Sequence, residues 1–304
     1  MSAPSILDAH VHLYGPEASA DPSGWGLARG EDHWVACVAP EGRRSIQGWS
    51  NPVLLIQHMD RAGIEACVLQ GWYWQRQSTC ELQNGWYLDW SRRFPGRFIP
   101  FATVQPAEGP KALESLERAL DAGMMGIGEL LPQAQGYPLD HPVFQGVMAL
   151  AAARGLPVTL HATDPQKGPA AGPPTPLGPL VDLARAFPRA SVILAHYGGG
   201  IAFRGAPDGK PVPPNLFFDT AASPLLYEGD VYLRSVDQVG EYRLLYGSDY
   251  PLLVRPRKMG EPGFEPTLQE IADAPLKPEA RALLLGGNLR RLLARGLAAG
   301  GGPV

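Results

Sequence analysis

Asp8-Ala9-His10-Val11-His12 ends a short apolar run near the start of the chain. Alternate side chains of an extended strand share a face, so His10 and His12 project together, spaced for two imidazole nitrogens to hold one metal ion. Alone the pair is a weak signal, because neighbouring histidines also serve as hydrogen-bonded core or surface residues. Four further candidate ligands each close a separate apolar run: Glu129 ends residues 125–129, His161 ends 157–161, His196 ends 191–196 and Asp249 ends 244–249. Neutral imidazoles and a carboxylate suit zinc, and an ion with an open coordination position activates water at neutral pH. Asp249 could accept the proton of that water and return it to the leaving group, with His196 stabilising a developing oxyanion. Asp8 shares the face of the two histidines by strand parity. It reads either as a support that fixes one imidazole or as a structural buried carboxylate.

The elements that must position these groups alternate. Each candidate ligand follows a helix-like segment, which argues for an α/β fold with a parallel sheet. Polar groups at the carboxyl ends of successive strands are where a (β/α)8 barrel builds its active site. A first strand over about 5–11 is followed by residues 14–50, rich in Gly, Pro and Trp and without clear periodicity. We read 15–50 as a lid insertion at the ligand end. Trp25, Trp34 and Trp49 either line a pocket there or pack a small core of the lid itself. Leu55, Ile56, Met59 and Ala62 mark a helix that starts near Pro52 and stops at Gly63. A strand over 66–70 then leads into Gly71-Trp72-Tyr73-Trp74-Gln75-Arg76, whose aromatics could stack on a ring or acyl group. Further helices are expected over 80–93, around Leu113–Leu120, and over 143–154 and 177–187, with strands over 98–104 and 216–220. The second of these strands brings Asp219 near the top of the barrel, where its carboxylate either supports a metal ligand or contacts substrate. Residues 164–176, heavy in Pro, Gly and Ala, read as an irregular, movable loop. A last helix over 279–294 should pack against the outside of the barrel, and 296–304 reads as a flexible tail.

Composition sets the wider bounds. At 304 residues and 45% hydrophobic content, residues 1–304 are expected to form a single barrel domain. A formal charge of -4 and a pI near 6.0 offer no basic footprint for nucleic acid. No apolar run of about 18 residues signals a membrane span, and no secretion signal is apparent. Cys37, Cys67 and Cys80 make neither a disulfide framework nor a Cys-x-x-Cys pair, which suits a reducing compartment. The expectation is a cytoplasmic protein acting on a small molecule, with a homo-oligomer left open. His33, His58 and His141 read as surface or packing residues.

Taken together, Asp-x-His-x-His, the later Glu and His residues, Gly247-Ser248-Asp249-Tyr250-Pro251 and the closing Gly287-Asn288-Leu289-Arg290-Arg291-Leu292-Leu293 resemble the amidohydrolase superfamily. The resemblance spans nearly the whole chain. It is nearest to the amidohydrolase-related (amidohydrolase 2) branch, with aminocarboxymuconate-semialdehyde decarboxylase and pyrone dicarboxylate lactonase relatives. It implies a distorted (β/α)8 TIM barrel holding one or two divalent ions, usually zinc. By position, His10, His12, His161 and Asp249 match the ligands, and His196 matches a second-ion ligand or a proton-transfer group. Glu129 stands where other branches carry a carboxylated lysine or a bridging Glu. The leading expectation is hydrolysis of an amide, ester or lactone. Nonoxidative decarboxylation or hydration of an unsaturated or aromatic acid is the alternative, and a noncatalytic barrel that only binds is the reading from another class. Trp72, Tyr250 and Arg204 are candidate substrate contacts, and Arg255 and Arg257 are further cations that a carboxylate substrate would call for.

Overall fold

A computed structural model describes residues 5–167 and 175–299. Its eight strands are β1 (Ile6–Val11), β2 (Ile64–Leu69), β3 (Phe98–Ala102), β4 (Gly126–Leu130), β5 (Pro157–Leu160), β6 (Ser191–Leu194), β7 (Leu216–Asp219) and β8 (Leu244–Leu245). They lie in sequence order and every neighbouring pair is parallel. Closure comes from backbone hydrogen bonds between the β8 segment and β1: Ala9 N to Tyr246 O at 2.7 Å, Asp249 N to His10 O at 3.0 Å and His12 N to Tyr250 O at 2.7 Å. The fold is therefore a (β/α)8 barrel, with helices between the strands.

Two apolar layers hold it together. Leu7, Ala66, Val68, Phe101, Ile193 and Phe217 fill the interior, whereas Val11, Leu69, Ile127 and Val158 join the helices outside. The helix Pro52–Ala62 shows how local chemistry sets an element. Asn51 caps it by accepting from Leu54 N at 3.0 Å, Leu55 and Met59 face the outer layer, and Gly63 at φ 70° ends it in a left-handed turn.

Three expectations change. The lid is not irregular, since Pro16–Ala20, Pro22–Leu27 and Asp32–Val38 are short helices. They are packed by Trp25 and Trp34 against Tyr14 and Trp74 rather than ordered by periodicity of their own. β8 covers only two residues, and the segment beyond it meets β1 through separate hydrogen bonds on either side of the left-handed Asp249 at φ 64°. The closing helix is broken into Pro278–Ala282, a π-helical turn Leu283–Gly287 and Asn288–Ala299. Its Leu289, Leu292 and Leu293 pack on Leu7, Ala66 and Phe101, so this segment plugs the end of the barrel from which the strands start instead of lying on its flank. Helix continues through the start of the expected tail; residues 300–304, like 168–174 of the loop read as movable, lie outside the described residues.

Candidate metal centre

β1 delivers His10 and His12 into the mouth of the barrel, both buried, with their Nε2 atoms 3.0 Å apart. Their neighbours decide where the ring protons sit. His10 Nδ1 lies 2.8 Å from Asp219 Oδ2 and His12 Nδ1 lies 3.0 Å from the carbonyl oxygen of Gln70, both acceptors, so each Nδ1–H donates. Each Nε2 then carries a lone pair. Glu129 Oε2 lies 3.7 Å from each of these nitrogens and Asp249 Oδ1 3.8 Å from each. His10, His12 and Glu129 thus converge with metal-binding spacing, and Asp249 borders the same two nitrogens. Ligands about 2.0–2.2 Å from a shared ion sit roughly 3 to 3.6 Å apart, so these residues fit a divalent metal with little adjustment. Without an ion, a proton takes its place. Burial works against charge on His10, yet Asp219 and Glu129 lift its pKa to about 10, while burial and the neighbouring His10 charge lower that of His12 to about 4.

The other oxygens of the same carboxylates face a second imidazole pair. Glu129 Oε1 lies 2.9 Å from His161 Nδ1 and 3.9 Å from His196 Nε2, and Asp249 Oδ2 lies 4.0 Å from His196 Nδ1. Both Glu129, His10, His12 and Glu129, His161, His196 therefore form groups with metal-binding spacing. Burial alone would keep Glu129 neutral, but His161 and His10 hold its carboxyl well below the usual range. Burial and His161 depress His196, so that ring is neutral at pH 7. Its Nδ1 sits 3.1 Å from the carbonyl oxygen of Ala221, so the proton belongs there and Nε2 holds a lone pair. That tautomer suits a ligand or a base, and not the oxyanion donor expected from the sequence.

Local backbone strain aims these groups. His196 (φ 56°), Tyr197 (φ 57°) and Asp249 (φ 64°) are left-handed non-glycine residues, each costing roughly 1–2 kcal/mol. The run continues through Gly198 and Gly199, which explains the glycines after His196. The turn is held by Asp219, whose Oδ1 accepts from His196 N at 2.9 Å and Ala221 N at 3.0 Å. Gly128, at φ 128°, lets β4 approach β5 so closely that a Cβ would meet Thr159 O at 2.6 Å.

Of the two roles read for Asp8, that of structural buried carboxylate is its own, and support of an imidazole falls to Asp219. Asp8 touches no imidazole; its Oδ1 accepts from His10 N at 2.9 Å and Ser248 N at 3.1 Å, stitching β1 to the turn after β8. Burial pushes its pKa up to about 7. Asp219 fixes the His10 ring instead, and although burial raises its pKa, His10 brings it below the ordinary value. Its place at the end of the apolar run Leu216-Phe217-Phe218 was the available signal.

Above the cluster opens a cavity of about 510 Å³, with Trp72 and Tyr73 on one side. The lid forms another wall, joined to the β8 exit by Leu253 N to Ile46 O at 2.8 Å and to the β2 exit by Glu31, which accepts from Gln75 N at 2.7 Å and Arg76 N at 3.1 Å. Trp72 lines this cavity, whereas Trp25, Trp34 and Trp49 belong to the lid's own aromatic core. Tyr250 does not reach it: the hydroxyl bonds Ser50 Oγ at 2.7 Å and His58 Nδ1 at 2.9 Å, and the ring stacks on Phe264 at 4.8 Å. Arg204 is committed elsewhere too, donating to Asp164 Oδ1 at 2.7 Å and Gly199 O at 2.6 Å, and Arg255 pairs with Glu270 at 2.8 Å. The cavity's cations are Arg43 and Lys167, which the sequence had not marked.

Solved structures share this architecture across almost their whole length. The 4-oxalomesaconate hydratase of Rhodopseudomonas palustris superimposes with a TM-score of 0.70 at 22% identity, covering 97% of both chains. The 5-carboxyvanillate decarboxylase of Sphingomonas paucimobilis gives 0.69 at 18% identity, covering 96% of this chain and 99% of its own. A dihydroxybenzoic acid decarboxylase of a Polaromonas species, solved with manganese and the inhibitor 2-nitroresorcinol, gives 0.66 at 16% identity over 96% and 97% of the two chains. At these identities the likeness is one of fold. No curated protein matches the sequence. The family described as amidohydrolase matches residues 7–295, and on that match the chain belongs to the amidohydrolases, in the amidohydrolase 2 branch.

Proposed function

We propose that this protein is a metal-dependent hydrolase of an amide, ester or lactone bond in a small molecule, with zinc as its ion. The observation that carries the reading is the pair Glu129 and Asp249, each offering one oxygen to His10 and His12 and the other toward His161 or His196. A divalent ion there would supply Lewis acidity and lower the pKa of water at its open position. His10, His12, Glu129 and Asp249 would hold it, with His161 and His196 available around the second oxygens. Asp249 is partly open to the cavity, so its carboxylate can take the proton of an attacking water and hand it to the leaving group. Neutral His196, with its Nε2 lone pair, can share that proton or add a ligand. Lid residues Cys37, Arg43, Ile46 and Gln47 line the cavity where the reacting carbonyl would sit.

A second reading, nonoxidative decarboxylation or hydration of an unsaturated or aromatic acid, draws on Arg43 and Lys167. Both sit in the cavity where they can hold a substrate carboxylate. The enzymes named in the structural comparison also act on such acids. Incubating the zinc- or manganese-loaded protein with lactones, amides and unsaturated diacids, while following bond hydrolysis and CO2 release together, separates the two. Hydrolysis without CO2 supports our reading. CO2 release or hydration without hydrolysis moves the protein to the second, and ion uptake with no turnover in the whole panel speaks for a barrel that only binds.

A further inference from the structure

The His196 tautomer turns a lone pair rather than an N–H toward the cluster, and the cavity wall beside His161 holds a neutral O–H donor. Tyr73 lines the cavity on the exit of β2, 5% exposed, with its ring stacked on Trp72 at 4.2 Å and 28° and edge-on to His161 at 5.4 Å. One stacked face and one edge contact hold the ring plane. Its hydroxyl has no hydrogen-bond partner among the described residues and, unlike the hydroxyls of Tyr14 and Tyr246, is not fully buried. Three imidazole N–H groups of the floor are spoken for: His10 and His12 donate to Asp219 and Gln70, and His196 to Ala221. A preorganised O–H, held with its ring against a ligand imidazole and with no protein acceptor, is what a reacting carbonyl or carboxylate oxygen requires as its charge grows.

We propose that Tyr73 is the residue that donates a hydrogen bond to the substrate oxygen at the metal centre, and that the site therefore selects substrates carrying an oxygen acceptor beside the atom that meets the ion. The inference rests on the metal-centre reading above. Tyr73→Phe tests it, since this change removes one hydroxyl and keeps the stacked ring. Cobalt-loaded wild type and Tyr73→Phe are titrated with benzohydroxamate, a flat ligand with a carbonyl oxygen, and with imidazole, which binds an ion but offers no oxygen. Cobalt absorption reads the binding. The variant should bind benzohydroxamate roughly tenfold more weakly, as expected for loss of one hydrogen bond to an anionic oxygen, and imidazole as the wild type does. Equal benzohydroxamate affinity, no benzohydroxamate binding by the cobalt-loaded wild type, or a parallel loss for both ligands overturns the assignment. Failure of the wild type to take up cobalt at all would instead defeat the metal-centre reading itself.

Discussion

Replacing Asp219 by Asn probes the metal centre through a residue that touches no ion. The carboxylate makes three hydrogen bonds at full burial: from His10 Nδ1 at 2.8 Å, from His196 N at 2.9 Å and from Ala221 N at 3.0 Å. An asparagine can satisfy only one side. If its NH2 faces His10, then Nδ1 must accept and the ring proton moves to Nε2, where it points at His12 Nε2 only 3.0 Å away and occupies the ion's position. If its oxygen faces His10, the NH2 confronts two backbone N–H donors and the strained His196 turn loses its anchor. Either way the substitution should weaken zinc binding about 10- to 100-fold, or roughly 1.4–2.7 kcal/mol. The assay is competition against a chromophoric chelator at fixed pH, with circular dichroism of the ion-free protein confirming that the barrel is intact. A folded Asp219→Asn protein that binds zinc within twofold of the wild type would refute the tautomer argument.

Other consequences are independent of that one. Because the ion-free His10 is protonated up to about pH 10 and His12 only below about 4, ion uptake near neutrality must expel close to one proton. Apparent zinc affinity should therefore rise about tenfold per pH unit across the middle of that window; calorimetry in buffers of different ionisation enthalpy reads the proton, and none released would contradict the assigned states. Tyr250→Phe leaves buried His58 without its partner and should lower stability by roughly 1–2 kcal/mol in thermal melts while leaving zinc affinity unchanged. Arg204→Met removes the paired cation from the buried Asp164 carboxylate, which keeps only Tyr227 Oη and Gln166 N as donors, and should cost about 2 kcal/mol. Adding Asp164→Asn should recover part of that loss; a double variant no more stable than Arg204→Met would show that the pair does not act as a unit.

The sequence was most informative where chemistry and periodicity coincided. His10, His12, Glu129, His161, His196 and Asp249 each end an apolar run, and a parallel barrel brings such ends together, so both the fold and the gathering of these side chains were legible. Contacts between remote segments left a fainter trace. Asp8 lies inside β1 and Asp219 ends β7, and only the register of the closed barrel shows that Asp219 supports the imidazole while Asp8 ties β1 to the β8 turn. Tyr250 and Arg204 sit beside the right motifs but turn toward Ser50 and Asp164, because left-handed residues at Asp249 and at 196–199 redirect the chain. The lid helices were hidden because helices of five to seven residues show too few turns for a periodic signal, and tryptophan packing decides their geometry.

The account stands or falls on whether these strand-end donors share an ion. Protein dialysed against buffered zinc or manganese and then analysed for metal and protein should retain at least one ion per chain, and His10→Ala/His12→Ala should retain none while remaining folded. Wild-type protein that comes out metal-free, or a double variant that keeps its full complement, would contradict it.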